Sequence, residues 1–248
     1  MVNAQTLTPD EALVEYLRDH GLKRLSKRLT ESGALDMVVT ATPGIKDVLV
    51  LGKIRQISDL SPVDSIIVDA PAAGHAITFL SSASGMLDAV TVGAIETQAR
   101  LVGELLTDGT RSQVVLVTLP EETPVNELVE TAYSLEDRVG IKLGPVVVNG
   151  ILDLPDGLDA APDGVHADRS TTTSSMRRDL ATLEAAAAFR RDRCALQTQQ
   201  ITRLGAELPL PQISLPFVFS PSLRIEDLRA MAASILTQTA SFSIGESR

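Results

Sequence analysis

The sequence predicts an α/β fold, a doubly wound and mostly parallel sheet covered by helices on both faces. Two observations lead there. Short apolar runs rich in β-branched residues occur at Ser65-Ile66-Ile67-Val68, Val114-Val115-Leu116-Val117 and Val146-Val147-Val148, and none alternates with polar residues. Helical patterns near 92–107 and 124–138 separate them. A strand apolar on both faces needs cover on both faces, which a parallel sheet wrapped by crossover helices supplies.

The elements follow in chain order. Thr8-Pro9-Asp10-Glu11 marks a helix start, with a capping hydroxyl, proline in the first turn and acids at the positive dipole end. Its apolar residues Leu13, Val14, Leu17, Leu25 and Leu29 recur at helical spacing, so the helix is expected to reach about Leu29, with Lys23, Arg24, Lys27 and Arg28 solvated. A second helix is expected from near Pro43, with Ile45, Val48, Leu49 and Ile54 inward, ending before Ser61-Pro62. Residues 153–175 turn to Asp, Gly, Pro, Ser and Thr and predict a flexible, exposed loop. A long helix is expected from Met176 to about Leu208, a fourth strand at Gln212-Ile213-Ser214-Leu215, and a last helix from near Ser222 through Leu228, Met231 and Ile235.

Bulk properties narrow the function. At 248 residues the chain suits a single domain, 1–248, with a sizeable core. A formal net charge of -10 would repel a phosphate backbone, so nucleic acid is not expected as a partner. One cysteine, Cys194, rules out an internal disulfide framework and fits a reducing compartment. The first residues lack a signal-peptide pattern and no apolar run approaches the roughly 18 residues a bilayer span requires, which makes cytoplasm the expected location.

In an open parallel sheet, ligands sit beyond the carboxyl ends of the strands. The first apolar run ends in Asp69-Ala70-Pro71-Ala72-Ala73-Gly74-His75. An acid at a strand tip can hold the water shell of Mg²⁺ beside a triphosphate, and Gly74 after it allows a loop that moves on phosphate contact. Asp69 also fits a turn aspartate that caps the next helix. Asn149 fits either a turn residue before Gly150 or an amide presented to a ligand. Pro216 and Phe217, after the fourth strand, fit either core or an apolar wall.

Val68-Asp69-Ala70-Pro71-Ala72-Ala73-Gly74-His75 resembles the switch segment Asp-x-Ala-Pro-Thr-Gly-His of the ArsA-type anion-transporting ATPase family. Thr42-Pro43-Gly44-Ile45-Lys46-Asp47 with Leu51-Gly52-Lys53, Thr118-Leu119-Pro120-Glu121-Glu122 and Val147-Val148-Asn149 resemble that family too, in its order along nearly the whole chain. The family includes arsenite-pump ATPases, tail-anchored-protein-targeting ATPases and actinobacterial relatives. The resemblance implies a P-loop NTPase-like fold with helical insertions that binds ATP and Mg²⁺ and hydrolyses ATP to drive a conformational switch. It implies that Asp69 is the Mg²⁺-side acid, that Gly74 and His75 form the moving loop, that Asn149 meets the adenine edge, and that Pro216 and Phe217 wall the base. It also implies a homo- or heterodimer with nucleotide at the subunit interface.

The departures from the family are specific. Its glycine-rich loop ending in Gly-Lys-Thr is absent: Leu51-Gly52-Lys53-Ile54 has the Gly-Lys pair without hydroxyl or preceding glycines. Ala73 stands where the switch threonine is usual. Two expectations follow, an ATPase whose first, phosphate-binding strand lies upstream of Met1, so that these 248 residues alone are inactive, or a pseudo-ATPase that regulates an intact paralogue. Single-cysteine composition and five methionines argue against arsenite or tail-anchored-protein clients, which leaves the client unassigned.

Overall fold

The computed structural model describes residues 2–21, 24, 27, 44–61, 63–158 and 174–245. Mixed α/β structure with a small parallel sheet is observed, and the chain divides into two compact units. One comprises Met1–Val114 and Thr131–Leu143, the other Val115–Glu130 and Gly144–Arg248.

The first unit is helical. Helix α1 spans Pro9–Asp19, and Thr8 Oγ1 caps it by accepting the Glu11 amide at 3.4 Å. Helix α2 spans Ile45–Leu60 and starts after Gly44, whose φ of 81° lies in the left-handed region where glycine is unstrained. Helices α3 (Ala73–Ala89) and α4 (Ala94–Thr107) complete the group. Ala12, Leu13 and Leu17 of α1 bury against Leu49 of α2, while Val48, Met86 and Ala99 join α2, α3 and α4. Burying such side chains stabilises by about 1.5–3 kcal/mol each. At the end of α4 the Arg111 guanidinium reaches back to Asp59 Oδ1 at 2.7 Å and ties the turn to α2. The first helix ends at Asp19, short of the expected Leu29, because the chain turns at His20 and at Gly21, whose φ is 77°, while the second starts at Ile45, close to the expected Pro43.

The second unit holds the sheet. Strands β1 (Val117–Thr118), β2 (Val146–Ile151) and β3 (Gln212–Pro216) run parallel in the order β1-β2-β3. Val117 pairs with Val147, and Val147 pairs with Ile213, so the valine run of β2 is the central strand. Register breaks between Val148 and Ile151, where Gly150 takes a φ of 77°. Helix α5 (Glu122–Val139) follows β1, helix α6 (Ser174–Glu207) follows β2, and helix α7 (Ile225–Gly245) follows β3. The outer backbone of β3 is satisfied by a side chain: Gln238 of α7 accepts the Ser214 amide at 2.8 Å and donates to the Ser214 carbonyl at 2.9 Å. An amide has one donor side and one acceptor side, which lets it stand in for a neighbouring strand.

Two expectations need correction. Residues 65–68 form no strand: they are exposed and outside any ladder among the described residues. Apolar, β-branched composition makes a segment competent for a sheet, but only a paired neighbour makes it a strand. The run at 114–117 shrinks to Val117–Thr118 plus an isolated bridge between Val114 and Leu143. Helix α3, which covers Ala73–Ala89, was not among the expected elements, because its Ala, Ser and Gly content shows no clear apolar stripe.

Candidate functional site

The carboxyl ends of β1, β2 and β3 lie together in the sheet unit and carry Asn149, Pro216 and Phe217. Parallel pairing aligns strand ends on one side, so these residues are neighbours through the register Val148↔Ser214 and Ile151↔Pro216. The Phe217 amide donates to the Ile151 carbonyl at 2.8 Å, which extends the β2–β3 contact by one residue. Gly150 leaves a tight gap between these strands: a Cβ there would meet Leu119 Cδ2 at 3.4 Å and Phe217 Cδ2 at 3.9 Å. Three loops therefore converge on one glycine. The Asn149 side chain is partly buried and hydrogen-bonds to nothing among the described residues, leaving its donor and acceptor available.

Aromatic surface lies beside it. Phe217 and Phe219 pack edge to face with centroids 4.7 Å apart, and they are 50% and 73% exposed. The Arg190 guanidinium sits 5.2 Å from the Phe219 centroid and donates from Nε and Nη2 to the Asp153 carbonyl at 3.0 and 2.6 Å. Helix α6 fixes the other loops as well. Gln197 is buried; its Nε2 donates to the Gly150 carbonyl at 3.1 Å while Oε1 accepts the Leu152 amide at 2.9 Å. Arg193 forms an ion pair with Glu121 in the loop after β1. Arg190, Arg193 and Gln197 lie three to four residues apart on one face of α6, a spacing visible in the sequence, although nothing in it singled them out.

Asp69, Gly74 and His75 belong to the helical unit. Asp69 is exposed and lies on the segment before α3 that forms neither helix nor strand. Ala72 caps α3 with its backbone alone, no side-chain cap forms, and Asp69 therefore does not cap this helix. Gly74 has nothing within 4 Å of where a Cβ would stand, so the first turn of α3 is open. His75 in that turn acts on Asp47 of α2. Burial pushes the Asp47 carboxyl above its ordinary range, and the charges of Lys46 and His75 pull it part of the way back. Asp47 is a residue that sequence reasoning assigned no role; the charge of His75 acts on it from another helix and leaves no local pattern.

Lys53 is placed away from phosphate chemistry. It stands within α2, not at a helix N-terminus, where its ammonium pairs with Glu15 and donates to Gln56 Oε1 at 3.1 Å. A cavity of about 150 Å³ beside it is lined by Glu15, Tyr16, Asp19, Lys53, Gln56 and Gln98 among others. The buried Tyr16 hydroxyl has no hydrogen-bond partner among the described residues, and burial raises its phenol. Arg55, which also lines the cavity, pairs with Asp59 at 3.2 Å, so both of its basic side chains, Lys53 and Arg55, are engaged by carboxylates. Among the described residues no group of three or more His, Cys, Asp or Glu side chains could enclose a metal ion.

No protein-family model matches the chain. It is 30% identical over 188 residues, 73% of its length, to a protein from Mycobacterium bovis named as an ATPase, and to the same extent to ATPase BagA of Mycobacterium tuberculosis. The chain is similar to mycobacterial ATPases. It spans about half the length, 54%, of these curated relatives. Among the described residues no helix is long and apolar enough to cross a membrane.

Proposed function

We propose that this chain is the base-binding and switch-bearing portion of an ArsA-type ATPase with a P-loop NTPase-like fold. The observation that carries the reading is Asn149, whose unpaired amide stands at the end of the central parallel strand beside the exposed edge-to-face pair Phe217 and Phe219. An adenine needs one donor and one acceptor at its edge and an apolar face for its ring, and these groups offer both. The similarity to proteins named as ATPases supports the nucleotide.

Asp69 suits Mg²⁺. This ion keeps several waters and takes one or two carboxylates together with substrate phosphates, so one exposed carboxylate is a sufficient protein contribution. Bound there, the ion would neutralise charge developing on the phosphoryl oxygens. Gly74 and His75, in an open first turn, would register the phosphate by moving, and the Asp47 carboxyl beside His75 would feel that movement as a change in local charge. In this reading nucleotide lies at the interface of a cytoplasmic homo- or heterodimer. The 248 residues carry no Gly-Lys-Ser/Thr loop, which favours binding with little turnover by this chain alone.

The test is titration of the purified chain with Mg·ATP, Mg·GTP and ATP in chelator, followed by phosphate release. ATP is expected to bind in preference to GTP. Asn149→Ala should weaken ATP about tenfold, or about 1.4 kcal/mol, without affecting GTP. Asp69→Asn should remove the Mg²⁺ dependence. Equal binding of ATP and GTP, or none of either, would sink the adenine reading; measurable phosphate release by this chain would replace the low-turnover reading with an active one.

A further inference from the structure

Helix α6 is 34 residues long, about 51 Å at 1.5 Å per residue. One stripe runs its whole length. Met176, Leu180, Leu183, Ala187, Arg190, Cys194, Gln197, Ile201 and Leu204 succeed one another in alternating steps of four and three, the spacing of a coiled-coil seam. The second half of that seam is covered by the chain itself: Leu204 and Gln197 are buried, and the Cys194 thiol donates to the Leu152 carbonyl at 3.4 Å. Arg190, turned onto Phe219 and Asp153, closes this half. The first half continues in register and is only partly covered, with Leu180 and Ala187 half-buried and Leu183 66% exposed. A small-residue run, Ala185 to Ala188, would let another helix come close.

The charges beside this half select its occupant. We propose that the 176–187 half of α6 docks antiparallel on the same segment of a second copy of this chain, with Leu180 against Leu183 of the second copy. In that register Arg177 comes alongside Glu184 of the second copy, twice over by symmetry, and Asp179 faces Ala186. One heptad further along, Glu184 would meet its own counterpart and Arg177 would meet Arg191. In a parallel pair Asp179 would meet Glu184. Both alternatives set like charges together, so only the first register is self-complementary. A three-turn contact is shorter than a standard interface, and the dimer is expected to dissociate in the micromolar range. It is independent of nucleotide.

The experiment uses the full 248-residue chain without nucleotide, in sedimentation equilibrium at low salt. A concentration-dependent species of twice 26.4 kDa is expected. Leu183→Asp should make the chain monomeric while far-UV circular dichroism stays unchanged. Arg177→Glu should weaken association about tenfold, and adding Glu184→Arg to the same chain should restore it. Register is read on a Cys194→Ser background, where mixed Leu180→Cys and Leu183→Cys chains should form disulfides faster than either alone. A monomer at every concentration, a dimer indifferent to Leu183→Asp, or fastest cross-linking by Leu183→Cys alone would each overturn the proposal. Failure here leaves the nucleotide titration untouched, because the two tests share no residue and no ligand.

Discussion

Gln197 holds Gly150 by its carbonyl and, with the same amide, holds Leu152 by its N–H, so one buried side chain of α6 clasps both sides of the turn after β2. The Cys194 thiol and the Arg190 guanidinium of the same helix hold the next two carbonyls, those of Leu152 and Asp153. The register shifts across Asn149 and Gly150, between the paired Val148 and Ile151, and the Gly150 carbonyl finds its partner in a side chain rather than a strand.

Replacing Gln197 with Leu keeps the volume but leaves that carbonyl and amide unsatisfied. A loss of about 1–3 kcal/mol is expected, measured as a shift of the urea midpoint. Gln197→Glu should behave differently, recovering part of the loss as pH falls and the carboxyl protonates, because only the protonated acid can donate to the Gly150 carbonyl.

Gly150→Ala tests the conformation of the same turn. An L-residue at a φ of 77° costs about 1–2 kcal/mol, and the added methyl would touch Leu119 at 3.4 Å. Destabilisation should appear in chemical denaturation, and amide exchange at Leu119 and Phe217 should quicken more than exchange in α1.

At Gly52 the expectation has a different sign structure. A Cβ there would lie 1.6 Å from Gln98 Nε2, so Gly52→Ala alone displaces that amide and destabilises the helical unit. The obstacle is the far end of a flexible side chain. In a Gln98→Ala background the same change should stabilise by about 1 kcal/mol, since alanine is the better helix former. A double-mutant cycle on thermal unfolding measures the difference, and additive effects would show that the two residues do not meet.

Asp108 gives a pH dependence. Its carboxylate accepts the Thr110 hydroxyl at 2.6 Å and the Thr110 amide at 3.0 Å, and these bonds, the hydroxyl first, lower its pKa from 3.8. A lowered folded-state pKa gives stability that is present above the unfolded value and is lost as pH falls through the folded one. Thr110→Ala should raise the Asp108 pKa, read by NMR, without restoring the full ordinary value because the amide bond remains. The stability gap between the two proteins should narrow as pH falls through the lowered folded-state pKa of Asp108.

Sequence alone revealed β2 and β3 well, since Val146-Val147-Val148 and Gln212–Leu215 carry their β-branched character between strong helical patterns, and both neighbours they need are present. It failed at 65–68, where composition is just as favourable but pairing depends on a distant segment. The site divides in the same way. That Asn149 and Phe217 stand at the ends of adjacent parallel strands could be read from the apolar runs before them. Gln197, Arg190 and Arg193 could not be singled out, because a polar residue on a polar helix looks the same whether it faces water or clasps a loop. Asp47 was missed because what perturbs it is burial and a histidine from another helix, neither of which has a local signature.

The bare stretch of Ile66, Ile67 and Val68, together with Val115 before β1 and Val117 within it, are exposed apolar segments with strong β propensity. Such stretches nucleate intermolecular cross-β assembly when chains meet slowly enough to align. The net charge of -10 keeps molecules apart at neutral pH. As the solution is acidified toward the isoelectric point near 4.8 that repulsion vanishes while the sticky segments remain, so turbidity should develop there before the helices melt.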